Sequence, residues 1–267
     1  MRVVLTIAGS DPIAGAGIQA DLKTFAALGV YGTSALTAVT SQNTAGIGGV
    51  FALPADVVRS QLDCVVQDVR LSATKTGMLA TADIIGVVCD ALARLERPNL
   101  VVDPVMAATS PGRRTLLAPD AVSILKSRLL PLASVVTPNT SEAGALAGIP
   151  VESADAAREA ARRILDLGAK AVVVKGGHLS GAESIDLLFD GRTFTEFSAP
   201  RSSRGPIHGT GCTFASALAA GLALGDDLPA AVDRAKRYVT GAIQRAVAIG
   251  RGAAVLDHFW NYTDLSS

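Results

Sequence analysis

The residues best placed to do chemistry stand together at Ile207-His208-Gly209-Thr210-Gly211-Cys212-Thr213-Phe214-Ala215-Ser216-Ala217-Leu218. Two of its glycines stand just before a run from Cys212 to Leu224 that holds no proline and sets Phe214, Leu218 and Leu222 at helical spacing. A glycine-rich turn that opens a helix leaves backbone N–H groups without intrahelical acceptors. With the positive end of the helix dipole, those donors suit an anion. Cys212 falls in the first turn, where the same field favours thiolate over thiol. The bland alternative is a packed turn around a small buried cysteine.

A second set of polar residues sits just past short apolar runs. They are Gly9-Ser10-Asp11, Gln42-Asn43, Thr76-Gly77, Asp103-Pro104, Asn139 and Lys175-Gly176-Gly177. If those runs are parallel strands, the polar residues share the carboxyl edge of one sheet, where ligands bind. Carboxylates, an ammonium and an amide on one edge read as a site rather than as solvated loops. Asp103 and Glu142 can hold Mg²⁺ directly or through water. Lys175 can neutralise a phosphate, and the turn Gly209, Thr210, Gly211 and Cys212 can bind phosphoryl oxygens. Each also has an ordinary role available: Asp103 and Thr140 as caps, Lys175 as a solvated cation.

The elements that must position these groups follow from the pattern. Strands are expected at Val3 to Ala8, Ser34 to Thr40, Ala73 to Leu79, Leu100 to Pro104, Ser134 to Asn139 and Ala171 to Gly177. Helices are expected at Ile18 to Leu28, Pro54 to Asp68, Thr81 to Glu96, Asp120 to Leu130, Thr140 to Ala147, Ser153 or Asp155 to Leu167, and Pro229 to Ala248. Thr140 is read as the cap of its helix. Two antiparallel strands, Ile185 to Asp190 and Thr193 to Ser198, join at Asp190-Gly191-Arg192. Strands apolar on both faces that alternate with helices mean an α/β fold: a central, mostly parallel sheet covered on both sides. No linker or repeat divides the chain, so residues 1–267 read as one domain.

Composition narrows the function. Basic and acidic residues balance at 24 each, which leaves no electrostatic footprint for nucleic acid or an acidic membrane surface. Hydrophobic residues make up 49%, enough for a large core. The apolar start is too short for a signal peptide or a membrane span. Cys64, Cys89 and Cys212 are an odd number without metal-type spacing, so reduced thiols in a cytoplasmic protein are expected. Cys64 and Cys89 fall in amphipathic helices and are expected to react slowly. Gly15-Ala16-Gly17-Ile18-Gln19-Ala20 fits a dinucleotide fingerprint, but no Asp or Glu occurs between Asp21 and Asp56 to hold a ribose. No Gly-Lys-Ser/Thr exists for a P-loop, so any ATP is held another way.

Taken together, Ala8-Gly9-Ser10-Asp11-Pro12, the run Ala14 to Thr24, Gln42-Asn43-Thr44, Thr137-Pro138-Asn139, Lys175-Gly176-Gly177-His178 and His208-Gly209-Thr210-Gly211-Cys212-Thr213 resemble a known family. It is that of the hydroxymethylpyrimidine/phosphomethylpyrimidine kinases of thiamine biosynthesis, within the ribokinase-like superfamily. The likeness runs from about Val3 to the last helix. It implies ATP-dependent phosphorylation of 4-amino-5-hydroxymethyl-2-methylpyrimidine and then of its monophosphate. It implies catalytic Cys212, where most of the superfamily carries Asp, with Lys175. It implies that Gln42 hydrogen-bonds the aminopyrimidine, whose ring nitrogen and amino group an amide complements, and that Asp21, Gly9 and Met78 lie near the pyrimidine. Asn139 and Glu142 match the superfamily motif for phosphate and Mg²⁺. A homodimer is expected from the same likeness.

Two stretches depart from the family. The tail Gly250-Arg251-Gly252-Ala253-Ala254-Val255-Leu256-Asp257-His258 stands where a glycine-rich run, Gly-Pro and paired histidines are usual. Met106 to Gly112 lacks the lysine common there. Two rivals remain on the sequence: a pyridoxal kinase, since pyridoxal also carries a hydroxymethyl group on a nitrogen ring, and a non-catalytic pyrimidine-binding protein.

Overall fold

A central strand buried from Val4 to Gly9 anchors the molecule, which is described here from a computed structural model covering residues 1–95, 99–107, 115–177, 182–203 and 205–262. In chain order the strands are β1 (Val3–Ser10), β2 (Tyr31–Asn43), β3 (Gly46–Ala52), β4 (Ala73–Thr76), β5 (Leu100–Val102), β6 (Val135–Val136), β7 (Val172–Lys175), β8 (Glu183–Phe189), β9 (Phe194–Pro200), β10 (Ile207–His208) and β11 (Ala254–Val255). The helices are α1 (Gly17–Ala27), α2 (Ala55–Asp68), α3 (Ala82–Leu92), α4 (Ala121–Ile124), α5 (Thr140–Ala147), α6 (Ala154–Asp166), α7 (Thr210–Leu224) and α8 (Leu228–Gln244).

Nine strands form one sheet in the order β3-β2-β1-β4-β5-β6-β7-β8-β9. The stretch from β2 to β7 is parallel, and β3, β8 and β9 join antiparallel at the two edges. Strand residues alternate between two cores. Leu5, Ile7, Leu100, Val102, Val136, Val172 and Val174 face the layer of α2 to α6. Val4, Val101, Val135 and Val173 face the layer of α1, α7 and α8. Burial on both faces explains the unbroken apolar runs.

The expected α/β sheet with helices on both faces is what forms, and four local readings need correction. The loop expected after Thr40 is strand: β2 continues to Asn43, turns at Thr44-Ala45 and returns as β3. Gly46, Gly48 and Gly49 weaken the strand signal there. The helix expected over Asp120 to Leu130 is only α4, followed by a π turn (Leu125–Leu129) and a 3₁₀ turn (Leu130–Leu132), where Pro131 has no N–H to give. Asn139, not Thr140, caps α5. The helix expected to reach Glu96 ends at Leu92, and Glu96 lies outside the described residues. Among the described residues no helix is long and apolar enough to cross a membrane.

Candidate active site

The carboxyl ends of the parallel strands open on a concave pocket with a cavity of about 110 Å³. Its floor is β1, β4 and β5, and its far wall is the start of α7.

Gly209 makes that wall possible. Its φ is +87°, and a Cβ there would lie 1.7 Å from the Gly15 carbonyl oxygen, so the strand-to-helix turn packs directly on the loop after β1. The first helical bond is Thr213 N–H to the Gly209 carbonyl, and no described side chain caps the helix. The amides of Thr210, Gly211 and Cys212 therefore have no intrahelical acceptor, and donors so placed suit an anion. Gly211 and Cys212 line the pocket with Gly209; Thr210 does not.

Lys175, at the end of β7, donates to Asp103 Oδ1 at 2.8 Å. Burial works against the ammonium, but Asp103 and Glu142 outweigh it and hold its pKa up. Thr137 donates to the same Asp103 oxygen at 3.4 Å. Asp103 Oδ2 is buried and has no partner among the described residues. Asn139 and Glu142 form a capping box: Glu142 N–H donates to Asn139 Oδ1 at 2.9 Å, and Asn139 N–H to Glu142 Oε2 at 2.8 Å. Burial, opposed by Lys175 and reinforced by Asp103, lifts the Glu142 carboxyl to about 7. Two crowded carboxylates, one with an orphaned oxygen, fit a divalent cation. Among the described residues no cluster of three or more His, Cys, Asp or Glu is arranged to hold a metal. Mg²⁺ does not require one, because it takes one or two carboxylates with substrate phosphates and water.

Cys212 overturns a sequence expectation. Burial pushes its thiol up to about 12; Lys75 pulls the other way, and Asp103 and Asp21 add to the rise. The resting side chain is thus a thiol, since burial and two carboxylates exceed the field of the helix start. Asp21 is also not where the resemblance implied. It is wholly buried outside the pocket lining, and its carboxylate accepts from Lys75 at 2.8 and 2.9 Å, Thr6 at 2.6 Å and Ser216 at 2.6 Å. Every acceptor position on that carboxylate has a protein donor, so it serves Lys75 rather than a ligand. Lys75 does line the pocket.

At the other end lie Gly9, Gln42 and Met78. A Cβ at Gly9 would meet Met78 Cε at 2.3 Å, so the glycine makes room for the methionine. Met78 also packs on Ala38 and Ala80. Gln42 Nε2 lies 2.9 Å from His208 Nε2, and that same ring nitrogen lies 2.9 Å from Asp11 Oδ2. With a proton it donates to Asp11; without one it accepts from Gln42. Asp11 further accepts from the amides of Ile13, Gly15 and Ala16. Burial raises its pKa, but these bonds and His208 outweigh that and hold it low.

Sequence reasoning placed Asp11 and His208 within the site motifs without an individual role, and gave none to Lys75. Lys75 had a signal: a lysine inside a strand of a sheet covered on both faces needs a buried partner. The other thiols differ from expectation in one case, for Cys64 is exposed while Cys89 is buried. His178, and residues 108–112 of the departing stretch, lie outside the described residues.

A mostly parallel sheet whose carboxyl edge carries a helix-start anion site, an ammonium and paired carboxylates defines a ribokinase-like phosphotransferase. Comparison with known proteins agrees. The phosphomethylpyrimidine kinase family model matches residues 11–257, and the chain belongs to that family. A hydroxymethylpyrimidine/phosphomethylpyrimidine kinase from Streptomyces coelicolor is 47% identical over 258 residues, covering 97% of this chain and 94% of that protein. The thiamine biosynthesis bifunctional protein ThiED of Geobacter sulfurreducens is 51% identical over 96% of this chain, which spans 52% of that longer protein. A Bacillus subtilis pyridoxal kinase, solved as an ADP complex, superposes with a TM-score of 0.90 at 37% identity, covering 98% of this chain and 99% of that one.

Proposed function

We infer that the chain transfers the γ-phosphoryl group of ATP to the hydroxymethyl oxygen of 4-amino-5-hydroxymethyl-2-methylpyrimidine, and then phosphorylates the monophosphate, in thiamine biosynthesis. The observation that carries this reading is one pocket with a carboxamide, Gln42, at one end and a helix-start anion site at the other. An amide nitrogen has two hydrogens and an amide oxygen two lone pairs. Gln42 Nε2 meets His208 and Gln42 Oε1 accepts from the Thr40 hydroxyl at 3.3 Å, so the amide keeps one donor and one acceptor for a ring nitrogen and its amino group. Gly9 and Met78 bound the ring.

The amides of Gly209, Thr210, Gly211 and Cys212 bind the phosphoryl oxygens, and Lys175 neutralises the charge that builds as the bond to the leaving ADP breaks. Asp103 and Glu142 hold Mg²⁺, with Asn139 fixing the Glu142 carboxylate through the capping box. Bound there, the cation supplies charge neutralisation at the phosphates. Cys212 takes the proton of the attacking hydroxyl in its minor thiolate form. Alignment and charge neutralisation supply most of the rate.

Pyridoxal is a second acceptor worth testing because the Bacillus pyridoxal kinase shares the whole fold. Its ring lacks the amino group that Gln42 complements. Replacing Gln42 by Leu leaves that polar edge unpaired, at about 1–3 kcal/mol per lost partner. The KM for the pyrimidine is expected to rise while the KM for ATP holds; equal weakening of both contradicts the assignment.

Tyr31, Val39 and Phe51 are exposed apolar side chains on β2 and β3 at the sheet edge, Val39 and Phe51 directly paired and Phe51 63% exposed. We read this edge as the face on which two copies pair, tested by sedimentation of the wild type against Phe51→Glu. Three free cysteines suit a reducing cytoplasm.

A further inference from the structure

The tail that departs from the family pattern packs behind the pocket, on elements that carry its lining. Following it from Val247, each contact falls on a different wall. Gly252 N–H donates to Thr44 Oγ1 at 3.1 Å, and Ala253 N–H to the Thr44 carbonyl at 2.8 Å. Thr44 is the turn between β2 and β3, two residues beyond Gln42. Ala254 and Val255 then pair as β11 with Ile207 and His208 of β10. Val247 and Val255 exchange backbone bonds of 2.9 and 3.0 Å, which close the segment on itself. His258, only 2% exposed, ends the run with Nε2 3.1 Å from Thr213 Oγ1, beside Cys212. Its carbonyl accepts from the Tyr238 hydroxyl at 2.6 Å, which fixes it to α8.

One short segment thus touches the hairpin that carries Gln42, the strand that carries His208 and the helix turn that carries Cys212. Across the pocket the first two meet, at 2.9 Å. The clasp at Thr44 tolerates nothing larger than glycine: a Cβ on Gly252 would lie 2.0 Å from the Thr44 carbonyl oxygen, and one on Gly250 2.4 Å from Thr44 Oγ1.

We propose that the segment Val247–His258 is a strap that sets the distance between the base-reading hairpin and the phosphate-binding turn, with Thr44 and Gly252 as positioning residues for acceptor specificity. This rests on the reading of Gln42 and of the Gly209–Cys212 turn given above. Neither Thr44 nor Gly252 lines the pocket. They act through Gln42 and His208, by keeping the carboxamide within reach of a ring whose hydroxymethyl group is already aligned with the phosphates.

The test compares Gly252→Ala, which forces the strap off the hairpin, with Thr44→Val, which removes one bond at constant shape, and Thr44→Ser, which keeps the hydroxyl. Gly48→Ala on the same hairpin is the control, because its Cβ would meet only the Ser41 carbonyl oxygen at 3.5 Å. Gly252→Ala is expected to weaken binding of the hydroxymethylpyrimidine about 10-fold, in KM and in direct calorimetry without nucleotide, as for a misplaced positioning group. Thr44→Val is expected to shift the same way, and Thr44→Ser and Gly48→Ala to match the wild type. The KM for ATP is expected to stay put. Unchanged pyrimidine binding in both Gly252→Ala and Thr44→Val overturns the strap, and so does a loss shared equally with ATP, which marks a general closure of the fold. Should Gly252→Ala not fold, Thr44→Val decides, since it introduces no backbone clash. A wild type that binds no pyrimidine sinks the functional reading instead. Amide exchange then judges the strap alone: faster exchange at both Thr44 and His208 in the Thr44→Val protein supports it, and unchanged exchange overturns it.

Discussion

Cys212 stands in the first turn of α7 on the pocket wall, close to the Lys75 ammonium and the Asp21 and Asp103 carboxylates. The glycines before it and the apolar spacing after it were enough to put it in the first turn of a helix, and α7 begins at Thr210. What the sequence could not supply was the company it keeps. Asp21 and Asp103 come from distant segments, and their charges together with burial push the thiol up to about 12. Alkylation is therefore expected to label exposed Cys64 first at neutral pH. Labelling of Cys212 should climb about 10-fold per pH unit through pH 10, because the thiolate is the nucleophile. Turnover of the wild type is expected to climb with pH past 8 for the same reason. Cys212→Ser should lower turnover by about 10²–10⁴ and flatten that climb. Near-normal turnover in that variant would make the cysteine a packing residue.

At the scale of elements, the parallel core was legible because its strands are apolar on both faces and end in polar residues. The hairpin of β2 and β3 was not, because three glycines interrupt β3 and its residues are mostly exposed or half-buried. That hairpin orients Gln42, so the position of the residue was legible and its support was not. Lys75 was missed for the opposite reason. Its strand is short and wholly buried, and only the fold brings Asp21 of α1 to Lys75 and Ser216 of α7 to Asp21. This pair ties three elements beneath Cys212 with both side chains fully buried. Lys75→Met strands the Asp21 charge and is expected to cost about 3–5 kcal/mol in urea unfolding. Adding Asp21→Asn to that variant should recover most of the loss. Equal stability for the single and double variants would show that the pair is not coupled.

Across the whole molecule, the tail is the part least legible in the sequence, since nothing in Gly250 to His258 tells which walls it joins. Its last anchor is sensitive to acid. Burial, with Lys23 nearby, depresses the His258 imidazole from 6.5 to about 4. The unfolded chain then binds more protons than the native one between those values. The contribution is complete above pH 6.5 and is lost as pH falls through 4, about 3 kcal/mol at most. The Tm of the wild type is expected to drop between pH 7.5 and 4.5, and His258→Gln to drop less; parallel curves would remove His258 from the account. The central claim, however, is that one pocket joins a reader of aminopyrimidines to a phosphate-binding helix start. The measurement that tests it most directly is turnover of the purified wild type with ATP and Mg²⁺ on the hydroxymethylpyrimidine and on pyridoxal, side by side. The expected result is a kcat/KM for the pyrimidine at least about 10-fold above that for pyridoxal, the discrimination of one hydrogen-bonded edge. Equal values, or a preference for pyridoxal, would contradict it.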